Sequence, residues 1–363
     1  MSDSYPYYKK KRETELLKVP EDLTLIRRKR QNAPEGYCPD SGLVDAVNVA
    51  LLLGQPLLLM GEAGTGKTEL ANNLSWQLGF GKESPFKFET KSTTTARDLF
   101  YSYDTVGRFH AAQTKLGSQK NRDYITYNAL GLAILFANPK SDVIEYLPTK
   151  NSKEAAFFDS ISKDNWQRRS VVLIDEIDKA PRDFPNDILN EIERMFFRVA
   201  ELDNKIFEVE DEKFRPVIIL TSNSEKNLPD AFLRRCVYYN IVFPKTDALK
   251  NIVDERIGGA QKRREEKEFR WYDTLIDLFE RLRDSRQMVK NPATAELLGW
   301  LTAVGRLLEH YEIPENDRER ETYLKSTPGR EKIVNPTLCV LLKNADDPEN
   351  AKPIIVEWAR NSA

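Results

Sequence analysis

The sequence predicts an α/β protein in which a domain built on parallel strands precedes a smaller all-helical domain. Three observations support this prediction. A glycine-rich loop near residue 61 joins an apolar strand to a helix, later apolar strands end in carboxylate or amide side chains, and strand patterns stop at Pro244. Continuous apolar runs of this kind are typical of parallel strands, because helices cover both faces of such a sheet.

Composition narrows the class of protein. The 363 residues favour two domains, and 55 Lys and Arg residues are balanced by 57 Asp and Glu residues. This balance gives no overall basic field that would favour nucleic acid. The longest apolar run, Ala129 to Ala137, is about half of the ~20 residues that a membrane span needs, and the N-terminus lacks a secretory pattern. We therefore expect a cytoplasmic protein without a membrane segment.

Cysteine and histidine are too few to build most metal or nucleophilic sites. Cys38, Cys236 and Cys339 are widely separated, which predicts reduced thiols without a disulfide framework or a paired-cysteine metal site. His110 and His310 are the only histidines, which excludes a histidine-rich metal site and disfavours a histidine-based catalytic triad. The chemistry must therefore come from phosphate-binding groups and carboxylates.

The N-terminal region is predicted to be an arm followed by a helix. Residues 1–32 are dense in charge and form the predicted arm, whose basic cluster is either solvated or in contact with an acidic partner. The strand-containing domain is expected from residue 33 to residue 244. It begins with an amphipathic helix, in which Leu43, Val44, Val47 and Leu51 recur at helical spacing up to Gly54.

The next stretch has the spacing of a phosphate-binding loop between a strand and a helix that begins near Lys67. The loop residues are Gly61, Glu62, Ala63, Gly64, Thr65, Gly66, Lys67 and Thr68. Glycine lets successive backbone N–H groups point at a bound polyphosphate, and the helix N-terminus adds the positive end of its dipole. We expect Lys67 to reach the β- and γ-phosphates and the Thr68 hydroxyl to bind Mg²⁺. The pattern predicts a site for a nucleoside triphosphate.

A long connection follows the second predicted strand, Phe86 to Glu89. The residues from about 92 to 140 are too many for an ordinary connection in a compact α/β domain, which predicts an insertion with its own role. Within it, Tyr101 and Tyr103 are either packed aromatics or contact residues for a partner.

Two further apolar strands deliver polar side chains to the sheet edge at which ligands bind in open α/β folds. The run from Val171 ends in Asp175 and Glu176. We expect Asp175 to hold Mg²⁺ through water and Glu176 to polarise the water that attacks the γ-phosphate. The run from Val217 ends near Asn223, whose amide is suited to orient that water.

Between these two strands the sequence predicts a helix and a β-hairpin. The helix spans residues 181–195, with Asp183 as its cap. Its buried face is expected to contain Ile188, Ile192 and Phe196. The hairpin spans residues 197–209 and turns at Asp203, because polar and apolar residues alternate on both sides of that position.

The C-terminal part of the chain reads as helical. After Asn223 a short helix ends in Arg234 and Arg235, and a last strand is closed by Pro244. Residues 245–363 show only helical spacing, which predicts a small helical domain with a C-terminal tail. Its irregular segments are a charged link at residues 261–268 and a polar loop at residues 315–330.

Together these motifs resemble those of the AAA+ ATPases. The loop at 61–68, the strand ending in Asp175 and Glu176, Asn223 and the paired arginines occur in the order of that family. The insertion and the hairpin resemble those of the MoxR branch, and finer matches resemble its CoxD-like members. These matches are Asp98 to Asp104 with Arg108 and Gln113, Leu233 to Cys236, and Pro292 with Glu296 and Trp300.

The resemblance implies a five-stranded parallel sheet of order 5-1-4-3-2, a helical lid, and a homo-oligomeric ring, usually a hexamer, that binds ATP and Mg²⁺ between subunits. Arg235, with Arg234 as its alternate, would then reach into the neighbouring subunit's site. It also implies remodelling of a client protein complex, often with a partner that has a von Willebrand factor A domain. Pro292 is followed by Ala293 and Thr294, where many MoxR proteins have an arginine, so we assign no residue to that sensor position.

Two other classes of function are weighed against remodelling. A nucleic-acid-dependent motor would need a basic surface, which the nearly neutral composition and the acidic hairpin do not favour. A scaffold that binds ATP without turnover is disfavoured by the intact pair of Asp175 and Glu176. We therefore expect the insertion and the hairpin to act on a protein.

Overall fold

The computed structural model describes residues 33–81, 84–114, 120–149, 153–161, 165–223, 226–257, 270–286, 288–313 and 316–360. The predicted arm, residues 1–32, and the charged link at 261–268 lie outside the described residues. The chain divides into two compact units. Among the described residues, the first unit comprises 39–62 and 67–242, and the second comprises 33–38, 63–66 and 243–360.

A five-stranded parallel sheet lies at the centre of the first unit. In chain order its strands are β1 (Leu57–Gly61), β2 (Phe86–Glu89), β3 (Val171–Asp175), β4 (Val217–Ser222) and β5 (Val237–Ile241). Their spatial order is β2-β3-β4-β1-β5, which is the predicted 5-1-4-3-2 order read from the opposite edge. The three inner strands, β3, β4 and β1, are buried along most of their length, which explains their continuous apolar sequences. The predicted fold class is confirmed.

Helices connect the strands of the first unit. They are α1 (Ser41–Leu53), α2 (Lys67–Gln77), α3 (Thr105–Thr114), α4 (Ala129–Ala137), α5 (Lys140–Val143), α6 (Lys153–Ser160), α7 (Phe184–Asp187), α8 (Leu189–Arg194) and α9 (Asp230–Leu233). α1 is the helix expected before β1. The Asp40 carboxylate accepts a hydrogen bond from the Leu43 N–H at its start, and Gly54 ends it in the left-handed conformation.

The insertion predicted at residues 92–140 contains a small antiparallel sheet together with α3 and α4. Tyr101–Tyr103 pairs with Ile125–Tyr127. α4, the longest apolar run of the sequence, is almost completely buried. Tyr101 is buried too, and its hydroxyl donates a hydrogen bond to Glu201 Oε2 at 2.9 Å. Of the two alternatives for Tyr101, the structure therefore shows the packed aromatic, whereas Tyr103 is half-buried.

The hairpin predicted at residues 197–209 is present and packs on the insertion. Strands Phe196–Val199 and Lys205–Glu208 pair antiparallel, and Asp203 and Asn204 make the turn with positive φ. The Phe197 ring lies 5.4 Å from the Phe100 ring of the insertion, between ring centroids, in a stacked arrangement. The insertion and the hairpin therefore form one packed body within the first unit.

The helix predicted over residues 181–195 is wrong in three details. The segment forms two short helices, α7 and α8, separated by the single residue Ile188, whose ψ of −2° is far from the roughly −42° of an α-helix. The Asp183 side chain makes no capping hydrogen bond, since its own backbone is already helical (φ −85°, ψ −19°). Phe196 lies in the first hairpin strand instead of on the helix. Ile188 and Ile192 are buried as expected.

The second unit is helical throughout its described part after residue 243. Its helices are α10 (Thr246–Ile257), α11 (Trp271–Asp284), α12 (Thr294–His310), α13 (Asp317–Lys325) and α14 (Asp347–Arg360), with short helical turns at 327–340. The polar loop predicted at 315–330 is wrong, because α13 occupies most of it. Only Leu324 of α13 is buried, so the helix has almost no apolar period, and the Asn316 side chain caps its first turn. Within the described ranges, none of the helices combines the length and apolar composition that crossing a bilayer requires.

Candidate functional site

The loop after β1 has a backbone that requires glycine. Gly61, Gly64 and Gly66 have φ of 142°, 76° and 88°, which side chains with a Cβ rarely adopt. A Cβ on Gly61 would also lie 2.4 Å from the backbone oxygen of Ile241 on the neighbouring strand β5. The glycine spacing in the sequence therefore reflects both the turn conformation and a close approach of two backbones.

Lys67 is the first residue of α2 and its side chain turns back onto the loop. Its Nζ donates hydrogen bonds to the backbone oxygens of Gly61 at 2.7 Å and Glu62 at 2.8 Å. Burial lowers the pKa of Lys67, and the nearby carboxylates of Asp178 and Asp175 oppose that effect. The buried ammonium is therefore bound to two backbone oxygens that a polyphosphate can replace.

Asp175 is the last residue of β3, and its carboxylate is in contact with three side-chain donors. The Thr68 hydroxyl lies 3.2 Å from Asp175 Oδ1, the Thr221 hydroxyl lies 2.6 Å from the same oxygen, and Lys87 Nζ lies 3.0 Å from Oδ2. Burial opposes the charge of Lys87, but its hydrogen bonds to Glu89 and Asp175 prevail and raise its pKa. Asp175 is thus oriented from β2, α2 and β4 together.

Thr68 and Asp175 offer the ligands that Mg²⁺ prefers. Both present oxygen atoms, and the contact between the Thr68 hydroxyl and the Asp175 carboxylate brings these oxygens to one point. Mg²⁺ is commonly bound through one or two carboxylates, with water and substrate phosphates completing its shell. The residues present therefore fit this ion.

Glu176 follows Asp175 and leaves the strand in an unusual conformation. Its φ of 56° and ψ of 50° lie in the left-handed region, which non-glycine residues rarely occupy. Its N–H donates to the Thr221 hydroxyl at 2.8 Å. Its carboxylate accepts from Asn223 Nδ2 at Oε1, at 3.1 Å, and from Lys179 Nζ at Oε2, at 2.6 Å.

Asn223 comes directly after β4, the strand next to β3. Its backbone N–H donates to Asp178 Oδ2 at 3.2 Å, and its side chain reaches Glu176. Asp178 itself is buried. Two adjacent strands therefore bring the amide of Asn223 and the carboxylate of Glu176 into direct contact.

Arg234 and Arg235 lie outside the cluster formed by Lys67, Thr68, Asp175, Glu176 and Asn223. Both are exposed at the end of α9. Arg235 Nη1 donates to the Ala231 backbone oxygen at 3.0 Å, and its Nε lies 3.4 Å from Glu193 Oε2 of α8. The structure thus brings together Lys67, Thr68, Asp175, Glu176 and Asn223, and leaves the paired arginines on the surface.

Three residues that contact this cluster were not anticipated from the sequence: Thr221, Lys179 and Lys87. Thr221 had a readable signal, since it lies on β4 two residues before Asn223, and side chains two residues apart in an extended chain face the same side of the sheet. The pairing of Ile174 with Leu220 then puts Thr221 beside Asp175. Lys179 and Lys87 had no such signal, because each belongs to a common pattern of surface charge.

The comparison with protein-family models agrees with this geometry. Residues 56–236, about half of the chain, match the family model of the AAA domain, dynein-related subfamily. That span contains every residue of the cluster. No curated protein matches the chain.

Solved structures similar to the chain have low sequence identity to it. A structure of katanin self-assembly is 13% identical with a TM-score of 0.36, covering 95% of this chain and 99% of that one. The Hsp104–ADP complex of S. cerevisiae is 15% identical with a TM-score of 0.44, covering 82% of this chain and 50% of that one. Domain III of the Thermotoga maritima replication initiation protein DnaA is 12% identical with a TM-score of 0.39, covering 84% of this chain and 95% of that one.

Proposed function

We propose that this chain, whose residues 56–236 match the AAA domain of the dynein-related subfamily, is an AAA+ ATPase that hydrolyses ATP to remodel a protein complex in the manner of the MoxR branch. The observation that supports hydrolysis is the contact between Glu176 and Asn223 next to Lys67, Thr68 and Asp175. A site that only held nucleotide would need the loop and Lys67, but not a carboxylate and an amide directed together beyond the strand ends.

Each residue of the cluster has a role in this reaction. Lys67 exchanges the Gly61 and Glu62 oxygens for the β- and γ-phosphates of ATP, and the loop N–H groups bind the same phosphates. Glu176 takes a proton from water while the water oxygen forms a bond to the γ-phosphorus. The bond from that phosphorus to the β–γ bridging oxygen breaks, which leaves ADP and phosphate. Asn223 orients the water and the carboxylate.

Thr68 and Asp175 would hold Mg²⁺ beside the phosphates. The ion, when bound, neutralises charge on the phosphoryl oxygens. Asp175 keeps its orientation for this task through the hydroxyl of Thr221 and the ammonium of Lys87.

The proposal of a protein client rests on the insertion and the hairpin. They are packed together through Phe100 and Phe197, and Asn121 Nδ2 of the insertion donates to the Glu201 backbone oxygen at 2.8 Å. A body joined in this way can transmit movement of the hairpin to the insertion surface. We propose that a client, with a partner that has a von Willebrand factor A domain, binds there.

A homo-oligomeric ring, with six subunits as the family pattern implies, is part of the same proposal. The exposed arginines at the end of α9 would then complete the phosphate site of the next copy. The charged arm of residues 1–32 and the helical region of residues 245–363, as lid, complete the proposed domain organisation around the core of residues 33–244.

The first test is nucleotide binding by Lys67→Ala. Because Lys67 supplies the positive charge at the phosphate-binding loop, its removal should abolish ATP binding measured by calorimetry. Wild type, measured in parallel with Mg²⁺ present, should bind and hydrolyse ATP. The circular dichroism spectrum should be unchanged, since the loop conformation depends on the glycines. Wild-type ATP affinity in Lys67→Ala would refute the phosphate-site assignment.

A further inference from the structure

The side chain of Glu176 is held at both carboxylate oxygens. Lys179, three residues later, donates to Oε2 with an Nζ–Oε2 distance of 2.6 Å, and Asn223 donates to Oε1. A carboxylate has about four acceptor positions on its two oxygens. One donor on each oxygen therefore fixes the orientation of the carboxylate and leaves acceptor positions for a water molecule.

The backbone keeps Lys179 in position for this contact. Ile177–Lys179 forms a single 3₁₀ turn directly after Glu176, and the Lys179 N–H donates to the Glu176 backbone oxygen at 2.9 Å. Glu176 itself has left-handed φ and ψ, a conformation that costs free energy in a residue with a side chain. The turn thus directs the ammonium and the carboxylate towards each other at the point where the chain leaves β3.

This ion pair contributes little to the stability of the fold. The side chains of Lys179 and Glu176 are 41% and 39% exposed, and pairs with that exposure are weakened by solvent. The same kind of ion pair occurs between Lys352 and Glu349 on α14, with the same spacing of three residues and the same distance of 2.6 Å between Nζ and a carboxylate oxygen. What distinguishes Lys179 is the carboxylate it holds.

We propose that Lys179 is a positioning residue for hydrolysis, which holds the Glu176 carboxylate in the orientation from which it takes the proton of the attacking water. This role rests on the proposed ATPase function. Lys179 acts through Glu176 and need not touch ATP. Its contribution should therefore appear in kcat, and the KM for ATP should change little.

The test is steady-state ATP hydrolysis by Lys179→Met, which keeps the length of the side chain and removes the charge. We expect kcat to fall by about 10- to 100-fold, the loss expected when a reacting group is misplaced by about 1 Å. Lys179→Arg should recover most of the activity, because it restores the charged donor. Lys352→Met, which removes the matched ion pair on α14, should hydrolyse ATP at the wild-type rate. If Lys179→Met does not fold, Lys179→Gln replaces it.

A double variant separates positioning from a general structural effect. In the Glu176→Gln background, Lys179→Met should cause no further loss, because both changes disable the same carboxylate. The inference is overturned if Lys179→Met alone retains or exceeds wild-type kcat, if its loss adds fully to that of Glu176→Gln, or if Lys352→Met loses as much. Wild-type turnover in Glu176→Gln, or an inactive wild type, would instead overturn the proposed function, and this role with it.

Discussion

At Thr221 a single hydroxyl serves both carboxylate residues at the end of β3. It donates to Asp175 Oδ1 at 2.6 Å and accepts from the Glu176 N–H at 2.8 Å. Thr221 is 1% exposed, so water cannot replace either bond. The hydroxyl therefore fixes the Asp175 side chain and the unusual backbone of Glu176 together.

Two replacements of Thr221 separate the effect of its hydroxyl group from the effect of its side-chain shape. Thr221→Val keeps the shape and should lower the free energy of unfolding by about 1–3 kcal/mol, since it leaves a buried N–H and a carboxylate oxygen without this partner. It should also weaken ATP turnover. Thr221→Ser retains the hydroxyl and should lose less in both respects. Urea unfolding and a turnover assay measure these effects, and equal stability of the Val and Ser variants would contradict this role.

At this scale the sequence predicts donors and acceptors better than their mutual contacts. Lys67, Thr68, Asp175, Glu176 and Asn223 follow from the loop pattern and from polar residues at the ends of buried strands. The contacts that orient them depend on strand register and on one 3₁₀ turn. Neither is visible in a local pattern, because register is set by pairing between segments far apart in the chain.

Among the elements, α4 is packed unusually close to the chain of the insertion. A Cβ on Gly131 would lie 2.0 Å from the backbone oxygen of Phe100 and 2.9 Å from its carbonyl carbon. The backbone of Phe100 cannot move aside to make room for a Cβ in the way that the end of a flexible side chain can. Gly131 is therefore needed for helix packing, although in the sequence it is only one more member of an apolar run.

Gly131→Ala should destabilise the protein in spite of the better helix propensity of alanine. Overpacking of this kind costs about 1–3 kcal/mol, which calorimetry would record as a lower melting temperature. Gly305 of α12 is the matched control, because a Cβ there would lie 3.6 Å from the Trp271 ring, an ordinary contact. Gly305→Ala should be neutral or stabilising by up to about 1 kcal/mol. Equal melting temperatures of the two variants would contradict the packing argument.

The elements that sequence reasoning missed have weak apolar periods or local breaks. α13 carries charge on most of its surface, so its pattern reads as a loop. The break between α7 and α8 at Ile188 has no glycine to signal it, and tertiary packing decides the backbone there. The central strands were predictable because burial on both faces leaves a continuous apolar run.

At the scale of the whole molecule, the exposed position of Arg235 makes it available to a neighbouring subunit of the proposed ring. Its side chain is 46% exposed and pairs with an exposed Glu193, so a stronger anionic partner can displace that contact. A triphosphate bound to a second copy of the chain would be such a partner. An arginine supplied in this way is worth about 10³–10⁵ in rate.

Mixed oligomers test whether Arg235 acts on a neighbouring copy. Arg235→Ala should bind ATP normally and hydrolyse it at least about 10³-fold more slowly. Mixing it with Lys67→Ala should restore part of the turnover, because some sites then combine an intact Lys67 with an intact Arg235 from the neighbour. If oligomers shown to contain both variants remain inactive, Arg235 acts within its own chain or Arg234 takes the role, which Arg234→Ala distinguishes.

The most direct test of the account is ATP binding and turnover by Glu176→Gln. The amide keeps the size of the side chain but cannot accept the proton of water, so ATP should bind with wild-type affinity while kcat falls by about 10²-fold or more. Glu349→Gln, which changes the carboxylate of the matched ion pair on α14, should leave both quantities unchanged. Wild-type kcat in Glu176→Gln would contradict the central claim that this carboxylate, at the end of β3, activates the water that hydrolyses ATP.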